Sequence, residues 1–134
     1  MHEKKSLLIL VAGPYRSGTN DDPDRIAANV KAMTDTALEL YRRGHLPVLG
    51  EWFALPLIEA AGSRQTGDEV FNEIFHPVAV RLVAHCDAVL RIGGPSAGAD
   101  EMVRTGEREG KIIFNRLEEI APCQPTALRE EEGQ

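Results

Sequence analysis

Four short apolar runs lie along the chain, at residues 6–12, 45–50, 87–92 and 111–115. The first run, SLLILVA, has no polar alternation. Such runs are typical of strands that are buried on both faces, as in a parallel sheet. The pattern therefore predicts four strands, and we expect the first of them to be central.

The segments between these runs have the apolar periodicity that is typical of helices. The first helix is predicted to begin with Asp22 as its N-cap and Pro23 at its first position, and to end at Gly44. Further helices are predicted at residues 53–62 and 98–110. The first helix carries one apolar stripe, formed by Ile26, Val30, Met33, Ala37 and Leu40.

A longer helix is predicted at residues 66–86. Thr66 and Glu69 have the spacing of a capping box at its start. Pro77 lies inside the same segment, and we expect it to kink the helix or to divide it in two.

The alternation of strands and helices predicts an α/β fold. We expect one domain over residues 1–134, with a core at 6–115 and a flexible tail at 122–134. Its sheet would be small, parallel and doubly wound (flavodoxin-like), with four or five strands and helices on both faces. Ligands of such sheets bind beyond the carboxyl ends of the strands, which selects the loop that follows each strand.

Composition narrows the function classes. The net charge of −6 argues against a nucleic-acid partner. The chain has no apolar run of 18 residues and no metal-ligand spacing, so we expect no membrane partner, no metal, no cofactor and a cytoplasmic location. We expect Cys86 to be a buried thiol and Cys123 to be incidental. The histidines His45, His76 and His85 are expected to be structural.

The loop after the first strand, AGPYRSGTNDD, has the composition of a ligand loop. Gly13 and Gly18 permit close approach of the backbone to a ligand. Arg16 offers a fork for a phosphate or carboxylate, Ser17 adds a hydroxyl, and Tyr15 is suited to packing on a sugar or base.

The alternative for Arg16 is an ordinary ion pair with Asp21 or Asp22. Neither a Walker P-loop nor a dinucleotide fingerprint is present in this loop.

The segment GGPSAGADE, after the third strand, opens a predicted helix. Gly94, Ser96 and Gly98 surround the expected helix N-terminus, where free N–H groups favour an anion. Asp100 and Glu101 follow in the first turn. They either complement the helix dipole or supply a carboxylate that acts as a nucleophile at an anomeric carbon.

Two further side chains follow the second strand. Trp52, with Phe53, is suited either to stacking on a nucleobase or to forming a hydrophobic lid. Glu51 is a candidate acid near a leaving group.

Three segments carry a resemblance to the nucleoside 2-deoxyribosyltransferase-like superfamily: LLILVAGPYRSGT, GHLPVLG and CDAVLRIGGPSAGADEMVRTGEREGKIIF. The resemblance covers residues 7–114. It implies a flavodoxin-like fold, and either transfer of a 2-deoxyribosyl group between bases or hydrolysis of the N-glycosidic bond of deoxynucleoside monophosphates. It also implies a small-molecule nucleoside or nucleotide as partner and a homo-oligomer.

The resemblance also implies roles for individual residues. Glu101 best matches the nucleophilic glutamate, while Arg16, Ser17 and Ser96 match the phosphate contacts of the deoxynucleotide N-hydrolase branch. That glutamate usually stands six residues after the serine, whereas Glu101 is five and Asp100 four residues after Ser96. If Asp100 pairs with Arg104, Glu101 is left for chemistry.

The alternative is a non-catalytic nucleotide or nucleotide-sugar sensor that keeps the anion-binding loops and lacks a working nucleophile.

Overall fold

The computed structural model describes residues 5–123. A four-stranded sheet lies at its centre, formed by β1 (Leu8–Ala12), β2 (Leu46–Val48), β3 (Ala88–Arg91) and β4 (Ile112–Phe114). All three strand pairs are parallel and the strand order is β2-β1-β3-β4. The predicted parallel α/β fold is confirmed, with β1 in the interior of the sheet and four strands among the described residues.

Each face of the sheet is covered by helices. Ile9 and Val11 of β1 pack with α1 (Pro23–Arg42), whereas Leu10 and Ala12 point to the other face and pack with α3 (Glu69–Val83) and α4 (Ala97–Arg108). This alternation follows from the two-residue period of a strand. Because both faces are covered, β1 is apolar throughout, as the sequence pattern requires.

The helix α2 (Gly50–Ala60) begins immediately after β2. We predicted its start at residue 53, and the difference has a consequence for the site: Glu51 and Trp52 lie in the first turn of a helix rather than in a loop. Ala54 and Ile58 of α2 pack against Phe71 of α3 in a third, smaller apolar cluster.

The start and the interior of α3 differ from the prediction. Its N-cap is Asp68, whose side chain accepts a hydrogen bond from the backbone N–H of Phe71 at 2.8 Å, so the predicted capping box of Thr66 and Glu69 is wrong. Pro77 does not divide the helix, which is continuous from residue 69 to 83. Phe71 and Val83, on either side of Pro77, are both buried, and this packing offsets the hydrogen bond that proline removes.

The chain returns to the core after β4. A single 3-10 turn, Leu117–Glu119, leads to Ile120, which is 2% exposed and packs in the α1 face of the core. Cys123 is also buried, although we placed it in a flexible tail at 122–134; residues 124–134 of that tail lie outside the described residues. Cys86 is buried as predicted. Of the helices described between residues 5 and 123, none has both the length and the apolar character needed to cross a membrane.

Candidate functional site

A cavity of about 250 Å³ lies at the carboxyl end of β1. The end of β1, the β1–α1 loop and the first turns of α2 and α4 form its wall, and α3 closes one side. The loops after β1 and β3 therefore meet at one edge of the sheet, as parallel strands require. The polar and aromatic part of the wall consists of Tyr15, Arg16, Ser17, Glu51, Phe71, Asn72, Phe75, His76 and Ser96.

The β1–α1 loop is held by its own hydrogen bonds. The hydroxyl of Thr19, which is buried, donates to the carbonyl oxygen of Arg16 at 2.5 Å, and the side-chain amide of Asn29 donates to the carbonyl oxygen of Tyr15 at 2.9 Å. Asn20 and Asp21 have φ angles of +54° and +58°, a left-handed conformation that Asn and Asp tolerate better than most residues. These hydrogen bonds within the protein stabilise the conformation of the loop.

Arg16 makes a two-pronged ion pair with Asp21. Its Nε and Nη2 atoms donate to the two carboxylate oxygens at 2.9 and 3.0 Å, and the guanidinium lies 5.6 Å from the ring centroid of Phe71. Hydrogen bonding to Arg16 lowers the pKa of Asp21, and the same bond raises the pKa of Arg16. The ion pair that we weighed as an alternative for Arg16 is therefore present, on a side chain that also contributes to the cavity wall.

The N-terminus of α4 faces the cavity from the opposite loop. Ser96 is its N-cap: the hydroxyl oxygen accepts from the backbone N–H of Ala99 at 3.1 Å, and the residue is 8% exposed. Gly98 lies so close to α3 that an added Cβ would stand 2.5 Å from Cε1 of His76. A side chain at position 98 would displace the imidazole of His76, which lies at the exposed rim of the cavity.

Arg91 stabilises the loop before α4 through hydrogen bonds. It donates to the carbonyl oxygens of Ile92 and Gly94, the latter at 2.9 Å, and to Asp100 at 3.0 Å. We considered Arg104 as a partner of Asp100, and the partner in the structure is Arg91. Arg91 reaches Asp100 from the end of β3, where its side chain is largely buried.

The aromatic side of the cavity comes from three rings. Tyr15 lies 4.9 Å from Phe75, and Phe71 lies 4.7 Å from Phe75, between ring centroids. Burial is the first cause of a raised pKa of Tyr15, and the nearby negative charge of Glu51 is the second. These rings provide an apolar surface on which a flat or sugar-like ligand can pack.

Glu51 is the carboxyl group in the cavity wall. It is 7% exposed, and its Oε2 atom is buried without a hydrogen-bond partner. Burial raises its pKa from 4.5 to about 7, and a bond with its own backbone amide offsets the shift only in part. A carboxyl with such a pKa exchanges its proton near neutral pH, as a general acid or base must.

The cavity brings together six of the predicted substrate contacts: Gly13, Tyr15, Arg16, Ser17, Ser96 and Gly98. Three others, Gly18, Trp52 and Gly94, are described residues that do not line it. Trp52 is 44% exposed on the outer side of α2. Contacts of these three with a substrate stay predictions.

Glu101 and Asp100, the predicted catalytic pair, lie outside the cavity wall that the described residues form. The residue of this turn that contributes to the wall is Met102, six positions after Ser96 and 4% exposed. Met102 is buried and lines the cavity, whereas the side chain of the preceding residue, Glu101, points about 100° away from that of Met102. The catalytic roles of Glu101 and Asp100 stay predictions.

Sequence reasoning missed the contribution of α3. Two pairs of residues on α3 line the cavity: Phe71 with Phe75, and Asn72 with His76. The members of each pair are four residues apart, so each pair forms a row along one side of the helix. His76, which we expected to be structural, belongs to the second row. His45 is structural as expected: it is buried, accepts from the backbone N–H of Leu7 at 3.1 Å, and pairs with the carbonyl oxygen of Ala121 at 2.8 Å.

Within residues 5–123, no three His, Cys, Asp or Glu side chains are grouped so that they could hold a metal ion. No model of a protein family matches the sequence, and a comparison with curated proteins finds no match either.

Proposed function

We propose that the chain binds a (deoxy)nucleoside 5′-monophosphate in this cavity and cleaves its N-glycosidic bond or transfers its sugar. One observation supports the proposal above the others: Arg16 and Ser17 on one loop and the N-terminus of α4 on the other line a single cavity that also contains a buried carboxyl group. This combination suits a ligand with an anionic end and a reactive bond a few ångströms away.

In this proposal the phosphate lies between the two loops. Arg16 and Ser17 donate to it from one side, and the free backbone N–H groups near Ser96 and Gly98 donate from the other. The ligand competes with Asp21 for the guanidinium of Arg16. Because this ion pair is partly exposed, with 36% of the Arg16 side chain accessible, exchanging it for a phosphate costs little.

The sugar and the base lie toward Tyr15 and α3 in this arrangement. The rings of Tyr15 and Phe75 offer apolar packing to a sugar face or base, and His76 and Asn72 supply polar groups at the rim. Glu51 lies on the wall beside them.

A second candidate function is nucleotide binding without chemistry. The observation that favours it is that Met102, an apolar side chain, lines the cavity just after the first turn of α4, whereas the neighbouring Glu101 does not line it. A sensor needs the anion contacts but no nucleophile.

Incubation with a panel of deoxynucleosides and their 5′-monophosphates, with detection of free base, separates the two functions. An enzyme releases base, whereas a sensor binds the monophosphates, as measured by calorimetry, and releases none. If the protein neither binds the monophosphates nor releases base, both proposed functions are wrong.

The two sequence-predicted nucleophiles are tested in the same assay by the variants Glu101→Gln and Asp100→Asn. Loss of a covalent step lowers the rate by several orders of magnitude with little change in binding. If neither change slows base release, the nucleophile is not at either position.

We also propose a homo-oligomer, as the resemblance implies. Light scattering at working concentration measures the mass directly, and a monomer mass would contradict it.

A further inference from the structure

The most unusual group in the described chain is the carboxyl of Glu51. It is the one buried side chain with a polar atom, Oε2, that has no hydrogen-bond partner among the described residues. Leaving a buried polar atom unpaired costs free energy, so an unpaired oxygen in a cavity wall calls for a partner such as a ligand or a water molecule.

The surroundings of Glu51 favour the protonated form of its carboxyl group. The first turn of α2 is packed on α3 and on the end of β1, so that Glu51 is shielded from water. A protonated carboxyl can donate a hydrogen bond to a ligand, which an ionised one cannot.

The ionisable groups that share the cavity wall are Tyr15 and Arg16 of the β1–α1 loop and His76 of α3. Among the described residues, α4 adds none to the wall. The guanidinium of Arg16 is already paired with Asp21, so it is not committed to Glu51. His76 is exposed at the rim, whereas Glu51 is buried within the wall.

We infer that Glu51 is the general acid of the proposed reaction: it donates its proton to the leaving base. The inference rests on the proposed function. It assigns Glu51 a role separate from that of the nucleophile, for which the candidates are the two carboxyl groups of α4.

The proton and electron count closes over one turnover. As the C1′–N bond breaks, its electron pair stays on the base nitrogen and the Glu51 proton goes to the base. In hydrolysis, water supplies the hydroxyl that forms the new bond at C1′, and its other proton returns to the Glu51 carboxylate. In sugar transfer, the N–H proton of the accepting base returns instead. If a carboxylate nucleophile intervenes, it is released unchanged in the second step.

The test compares the parent with Glu51→Gln, which keeps the shape of the side chain but has no acidic proton. Glu59→Gln is the matched control, because Glu59 is an exposed glutamate on the same helix. On deoxynucleoside 5′-monophosphates we expect Glu51→Gln to release base about 10²–10⁴-fold more slowly, with binding changed by less than about threefold, while the control behaves as the parent.

A second substrate distinguishes acid catalysis from a structural role. The 5-phosphate of 4-nitrophenyl 2-deoxyriboside has a leaving group that needs no proton. We expect Glu51→Gln to process it at nearly the parent rate. Equal slowing on both substrates would overturn the general-acid role.

The pH profile provides a readout that does not need the Glu51 variant, should that variant fail to fold. The parent rate should fall about tenfold per pH unit above the pKa of Glu51, and this limb should persist in His76→Ala. A rate independent of pH between 5 and 9, or a limb that disappears with His76, would overturn the inference.

The remaining outcomes separate the inference from the function beneath it. If Glu51→Gln releases base at the parent rate, the inference is wrong and the proposed function stands. If the parent releases no base, both are wrong.

Discussion

At the scale of single residues, two ionisable side chains of the cavity differ in how they are stabilised. Arg16 has a full partner in Asp21 and is partly exposed. Glu51 is buried with an unpaired oxygen, so its charged form is disfavoured. Arg16 can therefore exchange Asp21 for another anion, whereas Glu51 retains its proton to a higher pH than an exposed carboxyl group.

The buried carboxyl makes stability depend on pH. The pKa of Glu51 in the folded protein, about 7, lies above its ordinary value of 4.5. Between these pH values the folded state holds a proton that the unfolded chain has lost, so the Glu51 contribution to stability falls as pH rises from 4.5 to 7. At 1.36 kcal/mol per pKa unit, it amounts to a destabilisation of roughly 3 kcal/mol above pH 7.

We therefore expect Glu51→Gln to be more stable than the parent at pH 8, by up to roughly 3 kcal/mol, and close to the parent at pH 4. Urea unfolding monitored by circular dichroism across this range measures the difference. Glu59→Gln should parallel the parent throughout. A Glu51→Gln variant that was less stable at pH 8 would show that the carboxylate is stabilised in the folded protein.

The second prediction at this scale concerns Arg16. Loss of a charge-assisted contact with phosphate costs about 1.5–3 kcal/mol. Arg16→Ala should therefore weaken deoxynucleoside monophosphate binding by roughly ten- to a hundredfold in calorimetric titrations. Arg25→Ala removes a nearby exposed arginine and should have little effect.

A companion variant tests the competition directly. Asp21→Asn removes the negative charge that Arg16 contacts and keeps a residue type that tolerates the φ angle of +58°. We expect it to bind the monophosphate more tightly than the parent. Weaker binding by Asp21→Asn would mean that the ion pair positions Arg16 rather than competing for it.

At the scale of elements, the connection between α2 and α3 depends on one side chain. Asp68 accepts hydrogen bonds from the backbone N–H groups of Phe71, Arg64 and Gln65 and from the hydroxyl of Ser63, the first two at 2.8 Å. These bonds lower its pKa to about 2. They also fix the start of the helix that forms the aromatic side of the cavity.

The lowered pKa of Asp68 predicts that the folded protein loses stability in acid. Because its folded value lies below the ordinary 3.8, its contribution is fully present above about pH 4 and is lost as pH falls toward 2. Asp68→Asn, which keeps a capping side chain, should be less stable than the parent at pH 5 and should lose less on acidification. Thermal unfolding at several pH values between 2 and 5 measures both effects.

The control for this acid dependence is Glu73→Gln, because Glu73 is an exposed glutamate on α3. It should retain the acid dependence of the parent. If Asp68→Asn also retained it in full, another carboxyl would be its source.

At the scale of the whole molecule, the segment after β4 is joined to the end of α1, which is distant from it in sequence. Arg43 donates to the carbonyl oxygens of Leu117 and Ile120, the latter at 2.9 Å, and its own carbonyl accepts from the backbone N–H of Cys123. The end of α1 is therefore tied to residues about 75 positions later.

Gly44 permits this contact. It has a φ angle of +95°, and an added Cβ would stand 1.3 Å from the carbonyl oxygen of Cys123. Gly44→Ala should displace the segment and lower the melting temperature strongly. Gly62 is the matched control: its φ is +92° but open space surrounds it, so Gly62→Ala isolates the backbone cost of roughly 1–2 kcal/mol.

Thermal unfolding of both variants measures the difference. We expect Gly44→Ala to be clearly the less stable of the two. Equal effects would mean that the segment accommodates the methyl group and contributes little to stability.

Sequence alone determined the architecture, because local pattern carries that information. Uninterrupted apolar runs identified buried strands, and their alternation with helices required parallel pairing with the glycine loops on one edge. Pro23 and Gly44 lie at or next to the ends of α1, as their backbone preferences predict, and Ser96 caps α4 through its hydroxyl. The loops that carry Arg16 and Ser96 were found for the same reason, since topology places every strand-end loop at the ligand edge.

Only the tertiary structure decided which side chains meet. Arg91 rather than Arg104 contacts Asp100, because that choice depends on distances in space. The N-cap of α3 differs: Asp68 lies three residues before Phe71 and is a preferred N-cap type, so local sequence could have identified it instead of Thr66. The pitch of α4 puts Met102 in the cavity wall and leaves Glu101 outside it, and a one-residue step along a helix turns a side chain by about 100°. The burial of Glu51 follows from the packing of α2 on α3, which no local pattern encodes, so its raised pKa was beyond the reach of sequence.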